Sequence, residues 1–284
     1  YSGLVALVEA GQPVSDLMRG IVDFYAGQYS LAIIALERYM MENPDHDGTP
    51  LYYKALSHWK LGEYDLEIAT WDVLIEVHPL DQYLATAHLE KASSLWRYLQ
   101  DYEGAANTLL TYVARYPDAT RAAEFLSLAG DIYEIGGYLS RAIESWQRVF
   151  NEYPGAIEAY PALFKAGIVH YRMQKYEEAR VTFQRLLVLA TTPEDQAAAN
   201  FWIAKCLEVE ADQEQAATYY QQASAADPAG YYGIRANEKL AGQDPFPRQY
   251  NNDIAIDLEA EKSEAEKWMR TTFSINQGVD LNAP

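Results

Sequence analysis

The chain has 284 residues, 49% of them hydrophobic and 22% charged, a composition that can form a large buried core and excludes a disordered tail. Its 41 acidic and 22 basic residues give a formal net charge of −19, which argues against binding to nucleic acid or to an anionic membrane surface. A single cysteine, Cys206, excludes an internal disulfide framework. No signal peptide or membrane-spanning stretch is visible, and because the chain begins with Tyr1 we read it as a piece of a longer protein.

An internal repeat organises the chain from about residue 13 to residue 228. Each unit has a small or polar residue five positions before an anchor residue, and the anchors are spaced by 35, 38, 37, 37 and 37 residues. Proline follows the anchor by twelve positions in five units, and in the fifth unit Pro193 comes two positions later. The six anchors are Ala32, Glu67, Ala105, Ala142, Ala179 and Ala216.

This layout resembles the tetratricopeptide repeat, a unit of two antiparallel helices, A and B. Gly27, Gly62 and Gly137 suit the turn between A and B, where glycine adopts a positive φ at little cost. The proline near the end of each unit is expected to stop helix B. The resemblance implies an all-α solenoid, a right-handed superhelix of about six helix pairs plus flanking helices, with residues 1–228 as the repeat domain. In this family the eighth position of helix A is small, because helix B crosses closest there. That position falls twelve residues before each anchor, and all six residues there are small: Gly20, Ala55, Ser93, Gly130, Gly167 and Ala204.

The resemblance also predicts which residues line the inner groove of the solenoid. These come from the fifth and twelfth positions of helix A, and the candidates are Phe24, Tyr52, Trp59, Arg97, Phe164, Tyr171 and Phe201. Their aromatic rings could stack on sugars or anchor a peptide, or they could pack between repeats. The Lys and Asn set that clamps a chaperone's C-terminal carboxylate is missing, so a cochaperone role is not expected.

The segment after Pro228 predicts two further helices and a linker. Residues 229–241 read as a helix ended by Gly242, the Pro-rich stretch Asp244–Pro247 as a connection, and Ser263–Thr272 as an amphipathic helix. We expect residues 229–273 to form capping helices and residues 274–284 to begin a linker to a downstream domain.

The sequence Tyr-Tyr-Gly-Ile-Arg-Ala at 231–236 resembles the superhelical region of bacterial soluble lytic transglycosylases. That resemblance implies an extracytoplasmic, non-catalytic scaffold in the periplasm or cell envelope. Its partners would be peptidoglycan glycan or peptide and its own downstream catalytic domain. Locally, Tyr231, Tyr232, Gly233 and Arg235 are interpreted as part of a capping helix. The alternative is a tetratricopeptide adaptor of the cell envelope, of the BamD type, which would bind a protein partner.

No catalytic, cofactor or metal site is expected in this chain. The family's catalytic Glu-Ser signature is followed by Gly-Leu-Met-Gln, whereas the single Glu-Ser pair here, Glu144-Ser145, lies in a predicted helix B and lacks that loop. The Asp45–Gly48 loop has Leu56 where a calcium-binding loop needs glutamate, and no histidines stand at i, i+4 spacing. We expect Cys206 to be a buried, inert thiol.

Overall fold

The computed structural model describes residues 1–243, 257–276 and 279, and the regular structure in those ranges is entirely helical. A short helix, α1 (Ser2–Glu9), comes first. The A helices are α2 (Asp16–Tyr25), α4 (Thr49–Leu61), α6 (Leu84–Arg97), α8 (Ala122–Ile135), α10 (Ala159–Arg172) and α12 (Pro193–Val209). The B helices are α3 (Tyr29–Glu42), α5 (Tyr64–Val77), α7 (Tyr102–Arg115), α9 (Leu139–Glu152), α11 (Tyr176–Leu189) and α13 (Gln213–Ala226), and α14 (Tyr231–Leu240) and α15 (Leu258–Thr272) follow.

From α2 to α13, each helix packs mainly against the helices just before and after it in the chain. This sequential packing defines an α-solenoid and confirms the predicted fold class, because each repeat buries its apolar face only against its neighbours. The first connection, between α1 and α2, has six residues, as do those after α3, α5, α7 and α9. Helix α1 therefore has the spacing of a B helix that precedes the first A helix.

Helices A and B approach most closely at the small residues of helix A. A β-carbon added to Gly130 would lie 2.5 Å from Nε1 of Trp146, and one added to Gly167 would lie 2.6 Å from Cε1 of Phe183. Both Trp146 and Phe183 are fully buried, so neither ring has room to move. Gly20, Ala55 and Ala204 are also buried in their own repeats.

The small position assigned to Ser93 is wrong by one residue. Ala92 is 1% exposed and packs in the core, whereas Ser93 is only half-buried. The connection from α6 to α7 has four residues, Tyr98–Asp101, where the other A–B connections have two or three. This extra residue, at a point where Tyr98 stacks on Tyr64 of the preceding repeat, shifts helix A relative to the anchor.

The A–B turn places one residue per repeat in the left-handed backbone region. Three of these residues are the predicted glycines, Gly27, Gly62 and Gly137, with φ of 75°, 75° and 81°. The equivalent residues of the other repeats are Gln100, Gln174 and Ala211, with φ of 57°, 61° and 64°.

Proline acts differently in the fifth repeat. Pro193 does not end a B helix but begins α12, where its missing amide proton costs nothing. The Thr192 side chain caps this helix by accepting a hydrogen bond from the amide of Asp195 at 3.1 Å. As a result α12 has 17 residues and starts early in its repeat.

The predicted pair of capping helices belongs to two different compact units. Residues 1–240, including α14, form the first unit, and residues 241–284, including α15, form the second. Helix α15 begins at Leu258 rather than Ser263, because the Asp257 side chain accepts a hydrogen bond from the amide of Ala260 and caps the helix there. The Pro-rich stretch Asp244–Pro247 lies outside the described residues, and of the predicted linker only 274–276 and 279 are described.

Candidate binding surfaces

The predicted inner-groove aromatics of the first two repeats contact other aromatic rings. Tyr52 stacks on Tyr83 of the next repeat, with ring centroids 4.1 Å apart and planes 16° apart. Phe24 packs edge-on against Tyr53 of the next repeat at 5.4 Å. These contacts favour the packing interpretation for both residues, because an engaged ring face has less area for a ligand.

The aromatics of the last two repeats are used in the same way. Tyr171 contacts Trp202 at 5.3 Å, and Phe164 contacts Phe183 at 6.1 Å. Phe201 is 7% exposed and lies 5.6 Å from the ring of Tyr232 on α14. These three residues therefore join helices of the solenoid to one another.

Trp59 and Arg97 have different surroundings. Trp59 is half-buried, and the ammonium group of Lys60 lies 4.5 Å from its ring centroid. Arg97 is exposed, with its guanidinium 4.9 Å from the ring of Trp96. Since the third repeat is shifted by one residue, Trp96 rather than Arg97 occupies the twelfth position of α6. Both pairs are cation–π contacts at the surface.

Ion pairs link successive A helices along the later repeats. Lys165 on α10 binds Asp131 on α8 with an N–O distance of 2.6 Å, and Asp131 also accepts a hydrogen bond from Nε1 of Trp146 at 3.0 Å. Arg172 and Glu134 form a second pair between the same helices, also at 2.6 Å. These pairs cross between repeats, so they fix the position of one helix pair against the next.

Helix α14 closes the end of the last repeat. Gly233 is buried, and a β-carbon there would collide with the backbone carbonyl of Asp227. Lys239 binds Glu208 on α12 at an N–O distance of 2.9 Å. Burial acts to raise the pKa of Glu208, but hydrogen bonds from Lys239 and Tyr220 outweigh burial and bring this pKa below its ordinary value. Tyr231 is 66% exposed, and Arg235 pairs with Glu238.

One anchor position holds a buried carboxylate. Glu67 is 1% exposed, and its Oε1 accepts a hydrogen bond from Nε1 of Trp71 at 3.0 Å. The Ser94 hydroxyl of the next repeat lies 2.9 and 2.8 Å from its two oxygens. Burial raises the pKa of Glu67, and the hydrogen bonds from Trp71 and Ser94 offset part of that rise.

Grooves lie between neighbouring B helices on the outer side of the solenoid, each with an A helix as its floor. The first outer groove, of about 320 Å³, lies between α1 and α3 over α2. The second outer groove, between α3 and α5 over α4, has a volume of about 460 Å³ and an apolar lining that includes Met40, Leu51, Leu66, Val73 and Val77. The equivalent groove between α7 and α9, over α8, is about 330 Å³ and is lined mainly by polar residues, including Glu103, Asn107, Arg141, Glu144 and Arg148.

The second outer groove is not among the sites predicted from the sequence. A signal was present, because Leu66, Ala69, Val73 and Val77 follow one another at helical spacing on α5. The same helix also carries an inner apolar row, which includes the fully buried Trp71 and Leu74. In the sequence, the exposed stripe is difficult to distinguish from this buried row.

The remaining candidate reactive side chains lie on separate helices of the solenoid. Cys206 is a free, buried cysteine, and burial raises the pKa of its thiol to about 12, which keeps it inert. His58 binds Glu63 at 2.7 Å, and Glu144 is exposed on α9. Within the described ranges, no three His, Cys, Asp or Glu side chains are grouped closely enough to hold a metal ion. None of the helices described is both long enough and apolar enough to cross a membrane.

Comparison with known proteins supports the repeat assignment. Residues 164–231 match the family model of the tetratricopeptide repeat, and no curated protein is significantly similar to the chain.

The C-terminal part of a TPR repeat-containing protein from Cytophaga hutchinsonii is 18% identical, with a TM-score of 0.50 over 92% of this chain and 96% of that one. MamA from Desulfovibrio magneticus is 20% identical, with a TM-score of 0.40 over 60% of this chain and 90% of that one. A tetratricopeptide repeat protein from Parabacteroides merdae is 16% identical, with a TM-score of 0.38 over 80% of this chain and 82% of that one. The chain thus contains tetratricopeptide repeats within an all-α solenoid of that type.

Proposed function

We propose that this chain is a non-catalytic helical scaffold from a bacterial lytic transglycosylase, where it organises the enzyme on peptidoglycan in the cell envelope. At the coarser level, a tetratricopeptide solenoid is a scaffold for protein interaction. The finer proposal depends on α14 and on the resemblance of its sequence to the transglycosylase superhelix.

The observation that carries the finer proposal is the way α14 packs on the last repeat. Gly233 leaves no room for a β-carbon beside Asp227, and Tyr232 contacts Phe201 of α12. Gly233 and Tyr232 therefore pack on the last repeat, and this packing supports the proposal because the resemblance expects the motif late in a solenoid.

The gene sequence tests the proposal directly. We expect the codons after Pro284 to encode a Glu-Ser pair followed by Gly-Leu-Met-Gln, within a further domain of about 100–200 residues. A stop codon soon after residue 284 would contradict transglycosylase parentage while leaving the scaffold role intact. The chain itself should release no anhydro-muropeptides from purified sacculi, and turnover there would contradict a non-catalytic role.

The net charge of −19 favours the alternative function, an envelope adaptor that binds another protein. Peptidoglycan is itself acidic, so charge attraction does not help this chain to bind it. Co-sedimentation with purified sacculi separates the two functions. The transglycosylase scaffold should pellet with sacculi at physiological ionic strength, whereas an adaptor should remain in the supernatant.

A further inference from the structure

Helix α5 exposes an apolar stripe on the outer side of the solenoid. Leu66, Val73 and Val77 are 52%, 45% and 60% exposed, and Ala69 between them is also exposed. The four residues lie at i, i+3, i+7 and i+11, so they share one face of the helix. This face forms one wall of the second outer groove.

The solenoid does not need apolar residues at these positions. In the fourth repeat the matching residues of α9 are Arg141, Glu144, Arg148 and Glu152, which occupy the same places relative to the anchor. Arg141 there pairs with Glu103, and Arg148 pairs with Glu152. Because a charged face fits the same architecture, folding of the repeat does not explain why the exposed stripe on α5 is apolar.

The second outer groove has the dimensions of a helix-binding site. From Leu66 to Val77 the stripe is about 16 Å long at 1.5 Å per residue, which corresponds to three helical turns. Met40 on α3 lines the opposite wall and Leu51 on α4 lines the floor, so apolar side chains face the groove from three helices. A helix laid in such a groove would bury its own apolar stripe against them.

The charges around the second outer groove favour a cationic partner. Helix α5 contains four acidic residues and no basic one. Asp65 and Glu76 flank the stripe and form no ion pair among the described residues. The ammonium group of Lys54, on the floor, binds Glu37 at 2.6 Å. A second copy of this chain would bring like charges together, and an anionic lipid surface would be repelled, whereas a cationic helix is attracted.

We propose that the second outer groove binds an amphipathic helix of about three turns from another protein, with a Leu/Val stripe flanked by Lys and Arg. This interaction surface is separate from the inner groove and does not depend on the proposed transglycosylase function.

The test replaces the stripe with the residues of the fourth repeat. The double variant Val73→Arg/Val77→Glu introduces the side chains that α9 carries at those positions. The probe is a fluorescent Leu/Lys amphipathic peptide of about 14 residues, or four turns, and binding is measured by fluorescence anisotropy. We expect the double variant to bind the probe at least about tenfold more weakly than the native chain, because it places charge in an apolar groove.

Two controls separate groove binding from general effects. Val181→Arg on α11 changes a valine of similar exposure, 46%, outside the groove, and it should bind the probe like the native chain. A peptide with Glu in place of Lys should bind the native chain at least about tenfold more weakly, and the gap should narrow as salt screens the charges. Equal weakening by Val181→Arg and the double variant, or equal binding of both peptides, would overturn the proposal. Self-association of the native chain that the double variant abolishes would assign the groove to a second copy and would also overturn it.

Discussion

The left-handed turn residue of each repeat shows how a single side chain can cost stability. Three repeats place glycine there, whereas Gln100, Gln174 and Ala211 adopt the same backbone with a β-carbon. An L-residue in this region costs about 1–2 kcal/mol, because its β-carbon approaches the following carbonyl oxygen.

Ala211→Gly should therefore stabilise the fold. The relief of strain exceeds the entropy that glycine adds to the unfolded chain, so we expect a net gain of about 0.5–1 kcal/mol in the free energy of unfolding by urea. The reverse change, Gly137→Ala, should cost about 1 kcal/mol. A β-carbon at residue 137 meets no atom within 4 Å, so backbone strain alone would cause that loss. Destabilisation by Ala211→Gly would show that Ala211 is not strained.

The buried carboxylate of Glu67 makes stability depend on pH. Burial raises its pKa above the ordinary value of 4.5, and the charge of Glu90 adds to the rise, while the hydrogen bonds from Trp71 and Ser94 lower it. The folded chain thus keeps the proton to a higher pH than the unfolded chain does. This group's destabilising effect is complete above the raised pKa and disappears as the pH falls through it towards 4.5.

Glu67→Gln should remove this effect. The amide can accept from Trp71 and donate to the Ser94 hydroxyl, so we expect about 0.5–2 kcal/mol more stability at pH 7.5. The difference in free energy of unfolding between Glu67→Gln and the native chain should shrink as the pH is lowered to 5. Urea unfolding followed by circular dichroism measures this difference. Glu76→Gln removes one exposed negative charge from the same helix and is the matched control; it should change stability at pH 7.5 by no more than about 0.5 kcal/mol. A constant difference between native and Glu67→Gln across this range would contradict the assignment.

At the scale of helices, the sequence could predict the elements that depend on local signals. The anchors and small residues located the helix pairs, and glycine located three of the turns, because each acts through its own backbone or its nearest neighbour. The spacing of 38 residues between Glu67 and Ala105 indicates one extra residue in that unit. Its place in the α6–α7 connection was not predictable, since Ser93 and Ala92 are both small. The role of Tyr52 also depended on a partner, Tyr83, that lies in the next repeat.

The contact between α8 and α10 tests how repeats are joined. Asp131 accepts hydrogen bonds from Lys165 and from the buried Trp146, whereas Glu134, among the residues that the structure describes, pairs with the exposed Arg172 alone. Asp131→Ala should cost about 1–2 kcal/mol, because it removes the partner of Lys165 and one of the two acceptors of the buried indole. The Ser127 carbonyl, 3.2 Å from Nε1 of Trp146, remains as the other acceptor. Glu134→Ala, as the control, should cost about 0–1 kcal/mol, as for a surface ion pair. Equal losses in thermal melts of the two variants would show that the Trp146 hydrogen bond adds nothing.

At the scale of the whole molecule, the excess of acidic residues opposes compaction. The formal charge of −19 is spread over the entire chain, so many like charges interact at distances longer than the contacts of an ion pair. Salt screens charges beyond about 10 Å at 0.1 M, and it weakens close pairs such as Lys165–Asp131 much less. The long-range repulsion should therefore be lost before the short-range attraction between repeats.

Raising NaCl from about 0.02 to 0.5 M should increase the melting temperature by several degrees. For a protein of this size, about 1 kcal/mol corresponds to 2–4 °C, so even partial screening of the repulsion is measurable by differential scanning calorimetry. KCl at the same ionic strength should give the same shift, because screening depends on ionic strength. At pH 5 the shift should be smaller, since protonation of some carboxylates lowers the net charge before salt is added. A melting temperature that falls with added salt would mean that the ion pairs between repeats outweigh the repulsion of the chain as a whole.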